Sequence, residues 1–134
     1  MMISTKGRYA LRIMIDLGQH PDEFVSSKEI ADRQGVSTKY LETIARRLSK
    51  QELIYAQLGK NGGYRLTRHP AEISAGEIIK AAEGTLTPVA CAGVEKSCDK
   101  VGECLTYPLW LQLEDKIYTF LNSVSLEDIM NGNI

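Results

Sequence analysis

Residues 26–50 read SSKEIADRQGVSTKYLETIARRLSK, and this stretch decides the fold. Ser26 and Glu29 stand at the Ser-x-x-Glu spacing of a capping box, in which a hydroxyl and a carboxylate satisfy the free amides of a helix's first turn. The helix they open runs through Ile30, Ala31 and Gln34 and stops at Gly35, because glycine enters the left-handed conformation that ends helices at little steric cost. Ser37 then caps a second helix. Its Leu41, Ile44 and Leu48 fall on one stripe, with Lys39, Glu42, Arg46 and Arg47 off it. Two helices joined by a tight glycine turn, the second with a polar face left over, form a helix-turn-helix pattern. Ala31, Gly35 and Val36 supply the small buried residue and the turn that let the second helix project. Many helical hairpins share this pattern, so the flanking sequence has to decide.

On the C-terminal side, Leu53, Ile54, Tyr55 and Ala56 read as one strand and Tyr64, Arg65 and Leu66 as another. Gly59-Lys60-Asn61-Gly62-Gly63 between them reads as a hairpin tip, Asn-Gly being a strong short turn signal. A basic hairpin directly after a projecting helix is a wing that can reach a neighbouring groove or phosphate; taken alone it is an ordinary solvated turn. On the N-terminal side, Ser4 or Thr5 caps a helix whose Ala10, Ile13, Met14 and Leu17 recur at helical spacing, and His20-Pro21-Asp22 ends it. The order helix, helix, helix, hairpin predicts a mainly α fold with a small β-hairpin, a winged helix-turn-helix domain.

Further on, Ser74-Ala75-Gly76-Glu77 is another capping box, opening a helix through Ile78, Ile79 and Ala82 that Gly84 and Pro88 close. Residues 89–104 have no periodicity. Leu105, Leu109, Leu113, Ile117 and Leu121 then recur every four residues, flanked by Trp110, Tyr118 and Phe120. So wide an apolar face must pack on the domain or on a partner, and it predicts a homodimer seam through Leu109, Leu113, Ile117 and Leu121. Ser125-Leu126-Glu127-Asp128 opens a last short helix. The organisation is thus a DNA-binding domain at 1–83, a cysteine-containing loop at 84–104, and a long dimerisation helix with a tail at 105–134.

Composition fits this reading. The chain has 134 residues, 43% hydrophobic and 25% charged, and no apolar run reaches the ~20 residues of a membrane span. The first residues carry no secretory apolar segment, which predicts a cytoplasmic protein without membrane contact. The net charge of −1 hides an asymmetry: residues 1–70 hold 12 Lys/Arg against 7 Asp/Glu, residues 71–134 hold 4 against 10. A basic half suits phosphate contacts, and an acidic half away from DNA costs little.

All three cysteines fall in one segment, as Cys91-x6-Cys98-x5-Cys104. An odd number cannot form a closed disulfide set, and a structural zinc site would ask for a fourth Cys or His at short spacing. Soft thiolates on a glycine-containing loop suit an iron–sulfur cluster. Thiol redox chemistry, intermolecular disulfides, another metal and a structural role remain open on spacing alone. An enzyme is disfavoured: there is no CxxC and no Gly-rich phosphate loop, and the imidazoles, His20 and His69, both sit beside prolines.

The chain resembles the IscR-type winged-helix regulators, the iron–sulfur cluster regulator and its relatives. The match runs through Ser4-Thr5-Lys6-Gly7-Arg8-Tyr9-Ala10, Ile30-Ala31, Gly35-Val36-Ser37, Tyr40-Leu41-Glu42, Arg47-Leu48, Gly62-Gly63-Tyr64, Gly76-Glu77-Ile78-Ile79, Cys98 to Cys104, Leu105-Thr106, Leu109-Trp110 and Phe120-Leu121-Asn122. It implies a homodimer crossing through the long C-terminal helix, a 2Fe–2S cluster on Cys91, Cys98 and Cys104, cluster-assembly machinery as its donor, and control of cluster-assembly genes as a repressor. Relatives with similar loops sense nitric oxide, iron or redox state, and some without these cysteines govern cysteine metabolism. The chain departs from the family pattern in three places: its first cysteine spacing is x6 where the cluster regulator has x5, Tyr107 stands where that regulator carries its histidine ligand, and Leu58 replaces a wing arginine, with Lys60 nearby. Asp99, Glu103, a partner residue or water are the other candidates for a fourth ligand.

The residues expected at the DNA follow from helical phase and charge. Ser37, Thr38, Lys39, Tyr40 and Glu42 occupy the first turns of the second helix, where side chains of such motifs meet base edges. A carboxylate is tolerated there if it accepts from a cytosine amino group, and the resemblance gives Glu42 a sequence-discriminating role; the plain alternative is an i,i+4 pair with Arg46. Lys6, Arg8, Arg46, Arg47, Lys60 and Arg65 are candidate phosphate contacts, some of which are surface charges only. Tyr9 and Tyr64 read as core aromatics.

Overall fold

The structure, a computed structural model, describes residues 3–89 and 102–134. Among the described residues six helices and one hairpin follow in the order α1 (Thr5–Gly18), α2 (Ser27–Gln34), α3 (Thr38–Lys50), β1 (Ile54–Gln57), β2 (Gly63–Leu66), α4 (Ala75–Glu83), α5 (Tyr107–Ser123) and α6 (Leu126–Asn131), with a 3₁₀ turn at Pro70–Glu72 before α4. Serine hydroxyls start five of the helices: Ser4, Ser26, Ser37, Ser74 and Ser125 each accept a first-turn amide. Each such cap contributes about 1 kcal/mol. The full capping box forms at Ser74 and Glu77; at Ser26 the hydroxyl accepts from the Glu29 N–H at 3.1 Å. Gly35 closes α2 in the left-handed conformation at φ 68°.

One core holds these elements together. Ala10, Ile13, Met14 and Leu17 of α1 are buried, as their spacing requires, and they meet Ile30, Leu41, Ile44, Leu48, Ile54, Ile78 and Leu126. At the edge of this core, buried Asp16 takes a two-pronged contact from exposed Arg33, Nε at 2.9 Å and Nη2 at 2.7 Å, which fixes α2 against the end of α1.

The hairpin pairs Ile54 with Leu66 and Gln57 with Gly63 in antiparallel register. Its first strand is shifted one residue from the predicted one, because Leu53 is buried against the end of α3 and its amide is taken by the Leu48 carbonyl. The tip also differs from a two-residue Asn-Gly turn. Gly59 takes the positive φ of 106°, Asn61 does not, and the Gly62 N–H closes the turn onto the Gly59 carbonyl. On its other side β2 is bonded to the α1–α2 connection: Val25 N–H donates to the Tyr64 carbonyl at 3.0 Å, and Tyr64 N–H to the Val25 carbonyl at 2.9 Å.

The predicted C-terminal helix begins at Tyr107 rather than at 105. Pro108 suits a helix's first turn, so Leu105 falls outside and is 97% exposed. The end of α5 is tied down where the Ala75 N–H donates to the Val124 carbonyl and the Leu126 N–H to the Ile73 carbonyl. Gly76 lets α4 approach α5 there, since a Cβ at this position would overlap the Asn122 side chain. None of the 17 residues of α5 is buried. Among the described residues no helix is long and apolar enough to cross a membrane.

Gly63 carries φ 154°, and a Cβ on it would overlap the Val25 carbonyl and the Ser26 amide. Gly63→Ala should therefore break the Val25–Tyr64 pairing and destabilise the fold by about 2 kcal/mol, within the range of backbone-strain mutants. Denaturant unfolding of the two proteins measures this, and equal midpoints would contradict it.

Candidate nucleic-acid interface and cysteine segment

Burial of Leu41, Ile44, Ala45 and Leu48 fixes the rotation of α3, so its other face is presented outward. Ser37, Thr38, Lys39 and Arg46 are exposed on it. The Ser37 hydroxyl accepts from the Tyr40 N–H at 3.1 Å. Tyr40 is half-buried and meets Tyr9 of α1 edge-on, with ring centroids 6.1 Å apart. That contact sets the first turn of α3 beside α1, whose Lys6 and Arg8 are exposed. Tyr9 and Tyr64 both pack on the core, as expected of them.

Glu42 is half-buried and does not pair with Arg46; Ser27 of α2 donates its hydroxyl to Glu42 Oε1 at 3.1 Å. Three of the candidate phosphate contacts are partly engaged within the protein, the first being Arg8, whose Nη2 donates to the Thr5 hydroxyl at 3.4 Å. Arg47 Nη1 donates to the Ala82 carbonyl at 3.2 Å. Arg65 Nη2 donates to the Pro21 carbonyl at 2.7 Å, and its guanidinium lies 5.3 Å over the Phe24 ring. At the hairpin tip Lys60 is exposed and Leu58 is 93% exposed.

One contact at the base of α1 has no counterpart among the sequence-derived candidates. Glu83, the last residue of α4, places its carboxylate against the first turn of α1: it accepts from the Ser4 hydroxyl, the Ser4 N–H at 3.0 Å and the Gly7 N–H at 3.1 Å. Burial pushes the Glu83 carboxyl up, but the Ser4 and Gly7 hydrogen bonds and the Lys6 charge outweigh it and leave the group below the ordinary carboxylate value. The signal was present in the sequence as an anomaly: an acidic residue at a helix C-terminus opposes the helix dipole, unless it serves the N-terminus of another helix.

Cys91 and Cys98 lie outside the described residues. Cys104 lies just before α5, and its sulfur is 3.0 Å from the Thr106 hydroxyl. Hydrogen bonds from that hydroxyl and from the Thr106 and Tyr107 amides hold the thiol below its ordinary value, against a smaller upward push from burial. Tyr107 opens α5 and is half-buried, and Glu103 is exposed. Among the described residues no three metal-binding side chains come together.

A helix-turn-helix followed by a hairpin, with an exposed polar face on its second helix, defines a winged helix-turn-helix DNA-binding protein. The chain belongs to the Rrf2 family of iron-dependent transcriptional regulators, whose model matches residues 3–132. It is 39% identical over 133 residues to the HTH-type transcriptional regulator IscR of Pectobacterium atrosepticum, covering 98% of this chain and 80% of that protein. It is 37% identical over 131 residues to protein rrf2 of Nitratidesulfovibrio vulgaris, covering 97% and 87%. Among solved structures, CymR, the global cysteine regulator of B. subtilis, superposes with a TM-score of 0.77 at 35% identity, covering 98% of this chain and 97% of that one. IscR of T. potens superposes at 0.76 and 32% identity, covering 100% and 89%. The chain is accordingly a transcription regulator and not an enzyme.

The lowered Cys104 thiol has a direct consequence. In a chain with Cys91 and Cys98 replaced by serine, alkylation of Cys104 should reach half its maximal rate at a pH below the ordinary thiol range. Thr106→Val, which removes the hydroxyl donor, should move that midpoint upward. Identical pH profiles for the two proteins would remove the hydrogen bond as the cause.

Proposed function

We propose that the protein acts in the cytoplasm as a homodimeric regulator that reads duplex DNA with α3, the hairpin and the start of α1. Cys91, Cys98 and Cys104 hold an iron–sulfur cluster, 2Fe–2S in type, whose presence changes the DNA the dimer prefers, with cluster-assembly genes as targets. The observation that carries the DNA reading is the division of α3 into a buried apolar stripe and an outward face with Thr38, Lys39 and Arg46. Lys6, Lys60 and the free donors of Arg8, Arg47 and Arg65 supply phosphate contacts, which fix register. Ser37, Thr38, Lys39, Tyr40 and Glu42 supply contacts to base edges, the carboxylate accepting from an amino group.

The dimer reading rests on α5. Leu109 and Phe120 are each 57% exposed and Leu113 40%, while Ile117 and Leu121 are only partly covered. A helix this apolar gains about 25 cal/mol for each Å² of apolar surface it removes from water, and a second copy of the same helix offers a matching face. Two subunits would then present two copies of α3 to successive half-sites.

For the cofactor, the chemistry of the donor set fits. Cys104 has a thiol biased toward thiolate, the form that binds soft metals, and it leads directly into α5. A bound cluster supplies a labile cross-link among the three thiolates. The chain's own part is to join that segment to α4 on one side and to the proposed dimer helix on the other, so that tying its three thiolates together can bias how two copies of α3 are held. Tyr107, Glu103, Asp99, a partner residue or water completes the ligand set, and the cluster-assembly machinery is its donor. A second reading, thiol-based control without a stable cluster, is favoured by the likeness to CymR, the global cysteine regulator.

Two measurements test these readings. Binding to duplex DNA should weaken steeply with salt, with a log–log slope of about −0.9 for each phosphate contact; a flat response would refute the phosphate contacts. Anaerobic reconstitution followed by iron and sulfide analysis should give a stoichiometric cluster in the wild type and lose it in Cys91→Ala, Cys98→Ala and Cys104→Ala. Absence of iron and sulfide from the wild type, or retention by all three variants, would leave the thiol reading.

A further inference from the structure

Ser26 and Ser27 are adjacent serines with different tasks. Ser26 caps α2, accepting from the Glu29 N–H. Ser27 is not needed for that cap, and its hydroxyl leaves its own helix to donate to Glu42 Oε1 on α3. The site favours a carboxylate for a second reason: the first turn of α2 carries amides without intrahelical partners and the positive end of the helix dipole. A third element feels the same charge. Tyr64, in β2 near the hairpin tip and paired with Ala56, has its hydroxyl pushed up first by burial and then by the Glu42 charge, with Arg46 drawing it down. Glu42, on α3, is therefore tied to α2 by a hydrogen bond, and its charge reaches the wing. Among the described residues no hydrogen bond reaches its other oxygen, Oε2.

We propose that Ser27 is a positioning residue for base readout: by anchoring Oε1 of Glu42 it holds Oε2 ready to accept from an exocyclic amino group, cytosine N4 or adenine N6, in the major groove. The inference rests on the reading of Glu42 as a base-contacting residue. Its physical logic is a restraint on a charge that DNA repels. An unanchored glutamate on a recognition helix has several rotatable bonds and turns away from phosphates toward water. An anchored one stays at the base edge, where it rewards an amino group and penalises the acceptor atoms of guanine and thymine. Ser27 thus converts a mobile charge into a selective one.

The test is selection of the full chain on a randomised duplex library, followed by binding to single-base variants of the enriched site at fixed salt. Wild type is compared with Glu42→Ala, Ser27→Val, Ser27→Ala, Ser27→Thr and the Ser27→Val/Glu42→Ala double variant. Ser27→Val and Ser27→Ala should lower discrimination about fivefold or more, at the same base positions that Glu42→Ala affects. Ser27→Thr, isosteric with valine but retaining the hydroxyl, should keep wild-type preferences, and the double variant should lose no more than Glu42→Ala alone. The dependence of binding on salt should stay as in the wild type throughout. If the two hydroxyl-free variants keep wild-type preferences while Glu42→Ala changes them, Ser27 has no positioning role and the Glu42 reading survives. If Glu42→Ala itself leaves preferences unchanged, the base-contact reading fails and takes this inference with it. A failure of threonine to preserve wild-type preferences, or effects at other base positions, would show that the hydroxyl is not the agent.

Discussion

The pair of main-chain hydrogen bonds between Val25 and Tyr64 is the constraint on which the proposed DNA-binding surface depends. A two-stranded hairpin alone is marginal in water, and this one has a single sheet partner on each side of β2: β1 by regular pairing and Val25 by one bridge. The bridge attaches the wing to the segment that immediately becomes α2. Wing and helix-turn-helix are therefore hydrogen-bonded to each other and not only joined through the chain. Gly63 is the residue that makes the approach possible, because any side chain there would occupy the space of the Val25 carbonyl. Once β2 is held, the Tyr64 hydroxyl comes within reach of the Glu42 charge, and Ser26 and Ser27 are placed in turn to cap one helix and brace another.

Interactions of short sequence range were legible in the amino-acid sequence, and the reason is physical. Ser26, Gly35 and Ser37 act on amides and carbonyls within four residues, so their spacing alone reveals the turn of the helix-turn-helix. The stripe of Leu41, Ile44 and Leu48 likewise gives the rotation of α3, and with it the exposure of Thr38 and Lys39. Legibility fails where two rules compete locally. Asn61-Gly62 is a turn signal, yet the five-residue span between the strands lets Gly59 take the left-handed conformation instead. Leu105 shares the four-residue period of α5, yet Pro108 starts the helix after it.

Contacts between remote residues were not legible at all. Ser27 and Glu42 are 15 residues apart, and Ser4 and Glu83 are 79 apart; neither pair belongs to a periodic pattern. The same holds for the charges. Lys6, Lys39 and Lys60 could be read as outward because no side-chain hydrogen bond among the described residues claims them, while the carbonyls of Ala82 and Pro21 draw on Arg47 and Arg65 from elements that sequence spacing does not connect. Of the cysteine segment, the described residues show only Cys104, and its chemistry comes from Thr106, two residues away.

The capping of α1 by Glu83 also bears on the order in which the molecule can be assembled. Helix α1 precedes the other described helices along the chain, and it is amphipathic, but the carboxylate that satisfies its leading amides is supplied at the end of α4. Short isolated helices are marginal in water, and closing so long a loop must precede the contact that rewards it. Helix α1 is thus completed by a residue 79 positions after Ser4, and before residue 83 is in place its apolar stripe of Ala10, Ile13, Met14 and Leu17 lacks the part of its cover that α4 supplies.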